Sequence, residues 1–143
     1  MTDLTPDLRA LVAAARAARE RAYAPYSAFF VGAALRTDGG EVFAGCNVEN
    51  ASYGGTICAE RSAVLAMVAN AARPNAPMPP RWRPRIAAVA VFTDAPTLAM
   101  PCGMCRQVLA EFERDALVVV ANPRQARVLP FAELFPEPFV LAE

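Results

Sequence analysis

The chain has 143 residues, 55% of them hydrophobic and 20% charged, which excludes a disordered segment and predicts one compact domain with its own core. Fourteen basic residues balance fourteen acidic ones and histidine is absent, so the composition speaks against a nucleic-acid partner, which needs a basic face, and for a small uncharged substrate. No apolar run is long enough to span a bilayer, and Met1 to Asp7 holds two acids and no base, unlike a targeting peptide; a cytoplasmic protein with no membrane partner is expected.

Leu8, Leu11, Val12 and Ala15 recur at helical spacing with arginines mainly opposite, predicting an amphipathic helix from Pro6 to Ala22 with Pro6 in its first turn. Tyr23-Ala24-Pro25-Tyr26-Ser27 is a turn, followed by a strand over Phe29 to Arg36. Asp38-Gly39-Gly40 signals a hairpin, and Glu41 to Cys46 is its returning strand. The segment Asn47 to Thr56 reads as a functional loop. Cys58 to Ala71, rich in alanine, predicts a buried helix.

Arg73 to Arg85 holds five of the 13 prolines and cannot be regular structure; its Arg81-Trp82-Arg83-Pro84-Arg85 core reads as a solvated loop. Ile86 to Phe92 is an apolar run of strand length covered on both faces. Cys102 to Glu113 is a further helix, Leu117 to Ala121 a second buried strand, and Phe131 to Phe135 a short helical turn. Helices alternating with buried strands imply a three-layer α/β/α sandwich around a central mixed sheet, occupying the whole chain. The excess of alanine and valine predicts that some apolar surface is buried between subunits.

Four cysteines in a reducing compartment point to metal binding or catalysis rather than disulfides. Cys58, Cys102 and Cys105 offer three thiolates, soft ligands that favour zinc. Catalytic zinc keeps three protein ligands and leaves one position for water, and Glu60 stands two residues from a ligand, placed to move protons. Both cysteine groups fall at helix starts, where spare N–H groups stabilise thiolates. Three thiolates leave the site with net charge minus one, which the helix dipoles and Arg61 can offset. Two alternatives use the same residues: a closed structural site with Cys46 as fourth ligand, and a redox pair of Cys102 and Cys105. Cys46 ends an apolar strand away from the other three, and a structural site would have no use for Glu60.

Cys58-Ala59-Glu60 followed by Pro101-Cys102-Gly103-Met104-Cys105 is the zinc-deaminase signature. With Tyr23 to Ser27, Phe29 to Ala34, Gly45 to Ala51, Arg61, Arg106 and Gln107, the chain resembles the cytidine deaminase family over almost its whole length, in its short, homotetrameric class. The resemblance implies one Zn²⁺ per chain on Cys58, Cys102 and Cys105, with Glu60 carrying protons. It implies that Asn47 and Glu49 bind the ribose 3′-hydroxyl, that Phe29 packs on the pyrimidine, and that Ala59 contributes to substrate binding. It further implies that Phe139 reaches into a neighbouring subunit's site, with Tyr53 placed to serve across an interface. The stretch from Ala71 to Arg85 is longer and richer in proline than is usual in the family.

The implied reaction is hydrolytic deamination of cytidine and 2′-deoxycytidine to uridine and deoxyuridine with release of ammonia, a step of pyrimidine salvage. The alternatives are deamination of another cytosine-bearing small molecule such as blasticidin S, editing of a polynucleotide, and a non-catalytic zinc-stabilised binding module. Phe29 with Asn47 and Glu49 favours ordinary nucleosides, and the lack of a basic surface disfavours editing.

Overall fold

The computed structural model describes residues 3–75 and 77–141. Five strands form one sheet: β1 (Val31–Thr37), β2 (Val42–Cys46), β3 (Ile86–Thr93), β4 (Glu113–Ala121) and β5 (Ala126–Pro130), in spatial order β2-β1-β3-β4-β5. Only β3 and β4 run parallel; the other neighbours are antiparallel. Helix α1 (Pro6–Arg19) lies on one face. Helices α2 (Ala59–Asn70), α3 (Gly103–Phe112) and the single turn α4 (Phe131–Leu134) cover the other. This is the expected α/β/α sandwich with a mixed sheet.

The central strands alternate between two cores. Ala33, Leu35, Val89, Val91, Val118 and Val120 pack with α2 and α3, while Ala34, Ala88, Ala90, Phe92 and Val119 meet Leu8, Leu11, Val12 and Ala15 of α1. Because both faces are covered, the strands read as continuous apolar runs. Each buried leucine or valine of α1 contributes about 1.5–3 kcal/mol. On the α1 side Ala34, Ala88 and Ala90 keep part of the sheet surface low, so that the helix can approach closely there. At Gly32 a Cβ would fall 1.8 Å from the Ala15 carbonyl oxygen, so glycine is required there by space.

Thr5 caps α1, its hydroxyl accepting from the Leu8 N–H at 3.3 Å, with Pro6 at the first helical position. The helix ends at Arg19, three residues short of the expected Ala22. Glu20, Arg21 and Ala22 tighten to bonds three residues back, and the Tyr23 N–H leaves to bond the Asn47 carbonyl at 3.0 Å. The first strand begins at Val31 rather than Phe29.

Helix α3 passes directly into β4 at Glu113, where a bulge with Asp115 at φ +46° extends the strand back from the expected Leu117. Strand β5 has no counterpart in the sequence reading. Its burial is poor, with Leu129 alone in the core, and it closes the sheet as an edge ending in Pro130. Among the described residues no helix is long and apolar enough to cross a membrane.

Candidate metal and substrate site

The loop after β3 and the start of α2 bring the cysteines together. Cys58 is the N-cap of α2 and Cys102 the N-cap of α3, and neither side chain caps its own helix. Both sulfurs are therefore free for another partner. Cys105 lies in the first turn of α3 and is fully buried. The three Sγ atoms all lie within 4.8 Å of one another, and Cys58 and Cys102 are 3.8 Å apart. Tetrahedral zinc with Zn–S bonds of about 2.3 Å needs sulfurs about 3.8 Å apart, so the donor set fits that ion. Cys46, at the end of β2, is outside the group.

Arg61 Nη2 donates to Cys58 Sγ at 3.3 Å and to the Thr56 carbonyl at 3.4 Å. Cys58 is pushed down to about 5, chiefly by the Cys105 thiol that donates to it, with Arg61 and Cys102 adding to the effect against burial. Cys105 is pushed up by the same shared proton and by burial. Glu60 is only 5% exposed. Burial pushes it up to about 7, aided by the Cys58 thiolate and opposed by bonds from its own N–H and from Cys105. The carboxyl thus touches the sulfur cluster, and α2 is seated against β2 by Gly45, where a Cβ would lie 2.4 Å from the Ala63 nitrogen.

Asn47 and Glu49 are brought beside the metal ligands by backbone pairing. Val48 exchanges two 2.9 Å hydrogen bonds with Ile57, immediately before Cys58. Each side chain already holds the chain in place. Asn47 is buried, donates to the Phe29 carbonyl at 2.7 Å and accepts from the Val31 N–H at 2.9 Å. Glu49 accepts from the Tyr26 N–H at 2.8 Å, the Ser27 N–H at 3.1 Å and the Ser27 hydroxyl. These bonds, the hydroxyl first, hold its carboxyl below the ordinary range.

Both residues therefore shape the turn that presents Phe29, which is 45% exposed. Ala28 at φ +54° makes that turn, a conformation uncommon outside glycine. Phe30, by contrast, is half-buried under the Arg19 guanidinium, 5.7 Å from its ring centre.

Tyr53 sits in a short 3₁₀ turn (Tyr53–Gly55), and its ring meets Tyr26 edge-on at 5.6 Å. With Ser27, Glu49 and Thr56 the two tyrosines line a cavity of about 260 Å³. Thr56 joins that cavity to the sulfurs through Arg61. Ala59 is wholly buried at the first position of α2, which leaves its backbone N–H among the spare donors of the helix start.

Phe139 is not brought to this group within its own chain. Its carbonyl accepts from Gln107 Nε2 at 3.0 Å, its side chain is 70% exposed, and it borders a different cavity with Trp82 and Phe112.

Three positioning residues were not singled out from the sequence. Tyr26 and Ser27 read there as a turn and as part of a stretch matching the family, with no role of their own. Arg106 bonds the Pro101 carbonyl and the Leu134 carbonyl, each at 2.8 Å, and so clamps the ligand loop to α4. In the sequence it stood only as part of the stretch after Cys105 that matches the family.

A three-layer α/β fold whose ligand loop follows the carboxyl end of a parallel strand, with three thiols and a buried carboxyl converging there, defines a zinc-site protein equipped for hydrolysis. The family model for the cytidine and deoxycytidylate deaminase zinc-binding region matches residues 6–121. A cytidine deaminase of Sporosarcina psychrophila is 43% identical over 79% of this chain and 75% of its own length. That of Halalkalibacterium halodurans is 40% identical over 93% and 94% respectively. The crystal structure of cytidine deaminase from Burkholderia pseudomallei superposes with a TM-score of 0.79 at 46% identity, covering 95% of this chain and all of the other. The chain belongs to the cytidine and deoxycytidylate deaminase family.

Proposed function

We propose that this protein is a zinc-dependent cytidine deaminase that converts cytidine and 2′-deoxycytidine to uridine and deoxyuridine and releases ammonia. The observation that carries the reading is the convergence of Cys58, Cys102 and Cys105 at two helix starts with the buried Glu60 carboxyl touching Cys105. Zinc held by these three sulfurs would lower the pKa of a water molecule and make it a nucleophile near neutral pH.

Glu60 would accept a proton from the attacking water and pass it to the pyrimidine N3, which makes C4 electrophilic so that the water oxygen can bond to it. It would then carry the remaining proton of that oxygen to the amino nitrogen, so that the C4–N bond breaks, ammonia leaves and the C4 carbonyl of the uracil product forms. Arg61 offsets the charge of the thiolates. Phe29 supplies a face for the base, Asn47 and Glu49 face the ribose 3′-hydroxyl while keeping their hold on the turn, and the Ala59 N–H and Tyr53 border the substrate. A carboxylate beside the sugar repels a 5′-phosphate, which favours nucleosides over nucleotides. The relatives named cytidine deaminase support this substrate over blasticidin S.

We further infer a homotetramer in which Phe139 and Tyr53 act across subunit interfaces. The exposure of Phe139, Val140 and Leu141, each at least 70%, supports it. Unpaired thiols suit a reducing cytoplasm, where the reaction would serve pyrimidine salvage. The test is zinc content measured with uridine and ammonia formation from cytidine, deoxycytidine and blasticidin S. Zinc-loaded protein that leaves both nucleosides untouched would overturn the reading.

A further inference from the structure

Strands β1 and β3 pair as far as Val31 opposite Thr93 and then diverge. From Phe30 the chain leads back into the turn that presents Phe29, and from Asp94 it leads on into the loop that carries Cys102. Arg19, the last residue of α1, reaches into this opening. Its Nε donates to the Phe30 carbonyl at 3.1 Å, and its Nη2 pairs with Asp94 Oδ2 at 2.8 Å. The Arg19 side chain is 17% exposed, against 52% for Asp94, so the bridge is largely shielded from the arginine side.

The two ends of this bridge are unequally held. Beside Asp94, Thr93 is buried and its hydroxyl accepts from the Ala95 N–H at 3.0 Å, while buried Asn122 donates to the Ala95 carbonyl at 2.9 Å. Before Phe30, residues 25–29 are all exposed and Ala28 stands at φ +54°. A residue in that region keeps its conformation only where its surroundings over-determine it. Asn47 holds the Phe29 carbonyl at 2.7 Å, and Arg19 holds the next carbonyl. Gly32 makes room for the bridge, since a Cβ there would lie 2.5 Å from the Arg19 nitrogen and 2.9 Å from its Cβ. Arg19 lines neither the cavity between Tyr26 and Tyr53 nor the sulfur group.

We propose that Arg19 is a positioning residue that sets the Phe29 ring against the substrate base, by tying the Phe30 carbonyl to Asp94 at the end of β3. The planar guanidinium serves two different acceptors at once from fixed directions, which a single ammonium does not. The role of Phe29 toward the base rests on the cytidine deaminase reading; the bracing of its turn does not.

Hydrogen exchange followed by mass spectrometry on the zinc-loaded, substrate-free protein tests the bracing. Arg19→Gln should speed exchange over residues 26–31 about tenfold, as loss of a charge-assisted bond implies, and leave α2 and α3 unchanged. Kinetics test its purpose: KM for cytidine should rise about tenfold, with kcat within about twofold and zinc retained. Arg19→Lys should not rescue KM, and Arg19→Gln should add nothing in a Phe29→Ala background. Asp94→Asn, at the exposed end, should raise both exchange and KM about threefold, and it decides the matter if Arg19→Gln does not fold. Unchanged exchange over residues 26–31, full rescue by lysine, or an equal rise in KM with and without the Phe29 ring would overturn the proposal. Wild-type protein without turnover would sink the deaminase reading, while the exchange result still decides whether Arg19 braces the turn.

Discussion

Arg61 donates through one nitrogen both to Cys58 Sγ, at 3.3 Å, and to the carbonyl of Thr56, at 3.4 Å. The guanidinium is therefore fixed by the backbone before it meets the thiolate, and each charge strengthens the other: Cys58 goes down and Arg61 goes up. Arg61→Gln removes the cation that offsets a three-thiolate site. It should lower kcat about 10–100-fold and hasten zinc loss to a chelator, as loss of partners to metal ligands generally does. Wild-type turnover together with wild-type zinc retention would show that the pair has no part in the chemistry.

Cys46 stands apart from the sulfur cluster at the end of β2. Cys46→Ala should keep one zinc per chain by elemental analysis, whereas Cys105→Ala should lose it. Loss of zinc from the first variant would mean a closed four-sulfur site and sink the catalytic reading.

Glu60 is buried against Cys105 with no salt-bridge partner among the described residues. Glu60→Gln keeps the shape and removes the proton carrier of both halves of the reaction. Turnover should fall by more than the ~10²–10⁴ of a single general acid–base step, with zinc retained. A purified variant with a tenth of wild-type activity would assign the proton transfers elsewhere.

Zinc removal should expose Cys58 as a thiolate at neutral pH. Its pKa is depressed to about 5, so the reactive form is present above that value and is lost as pH falls through it. In chelator-treated protein the alkylation rate of Cys58, followed by mass spectrometry, should be nearly flat from about pH 6 to pH 8. A tenfold rise per pH unit over that range would mark an ordinary thiol.

Phe139 is anchored to Gln107 but turned away from the site of its own chain. Phe139→Ala should raise KM for cytidine while zinc stays bound. Mixed with Glu60→Gln under subunit exchange, it should recover activity, since one chain supplies the carboxyl and another the ring. A fully active monomer by light scattering would exclude a shared site.

The zinc chemistry was legible because it is local. Cys58 with Glu60 two residues on, and Cys102 with Cys105 three on, are spacings within one turn of a helix, and the helices are marked by apolar periodicity and the cysteine N-caps. The two-sided burial of β3 and β4 was legible too, since a strand covered on both faces must be apolar throughout. Strand β5 was not, because an edge strand owes its place to the hydrogen bonds that β4 offers across Val118 to Leu129 rather than to its own side chains.

Other features exist only by long-range closure. Asn47 and Glu49 were readable as a polar pair after a strand, but that they hold Phe29 and the Tyr26–Ser27 turn depends on bonds spanning 16 to 23 positions. The arginines of residues 81–85 read as a solvated loop because the sequence does not say that Asp38 and Arg114 stand opposite them; the sheet brings all three segments to one edge. A sequence thus determines which groups can ionise, ligate or pack within a turn or a strand. Which distant groups share a charge or a cavity is decided by the tertiary structure, because Coulomb and hydrogen-bond energies depend on separation in space, not along the chain.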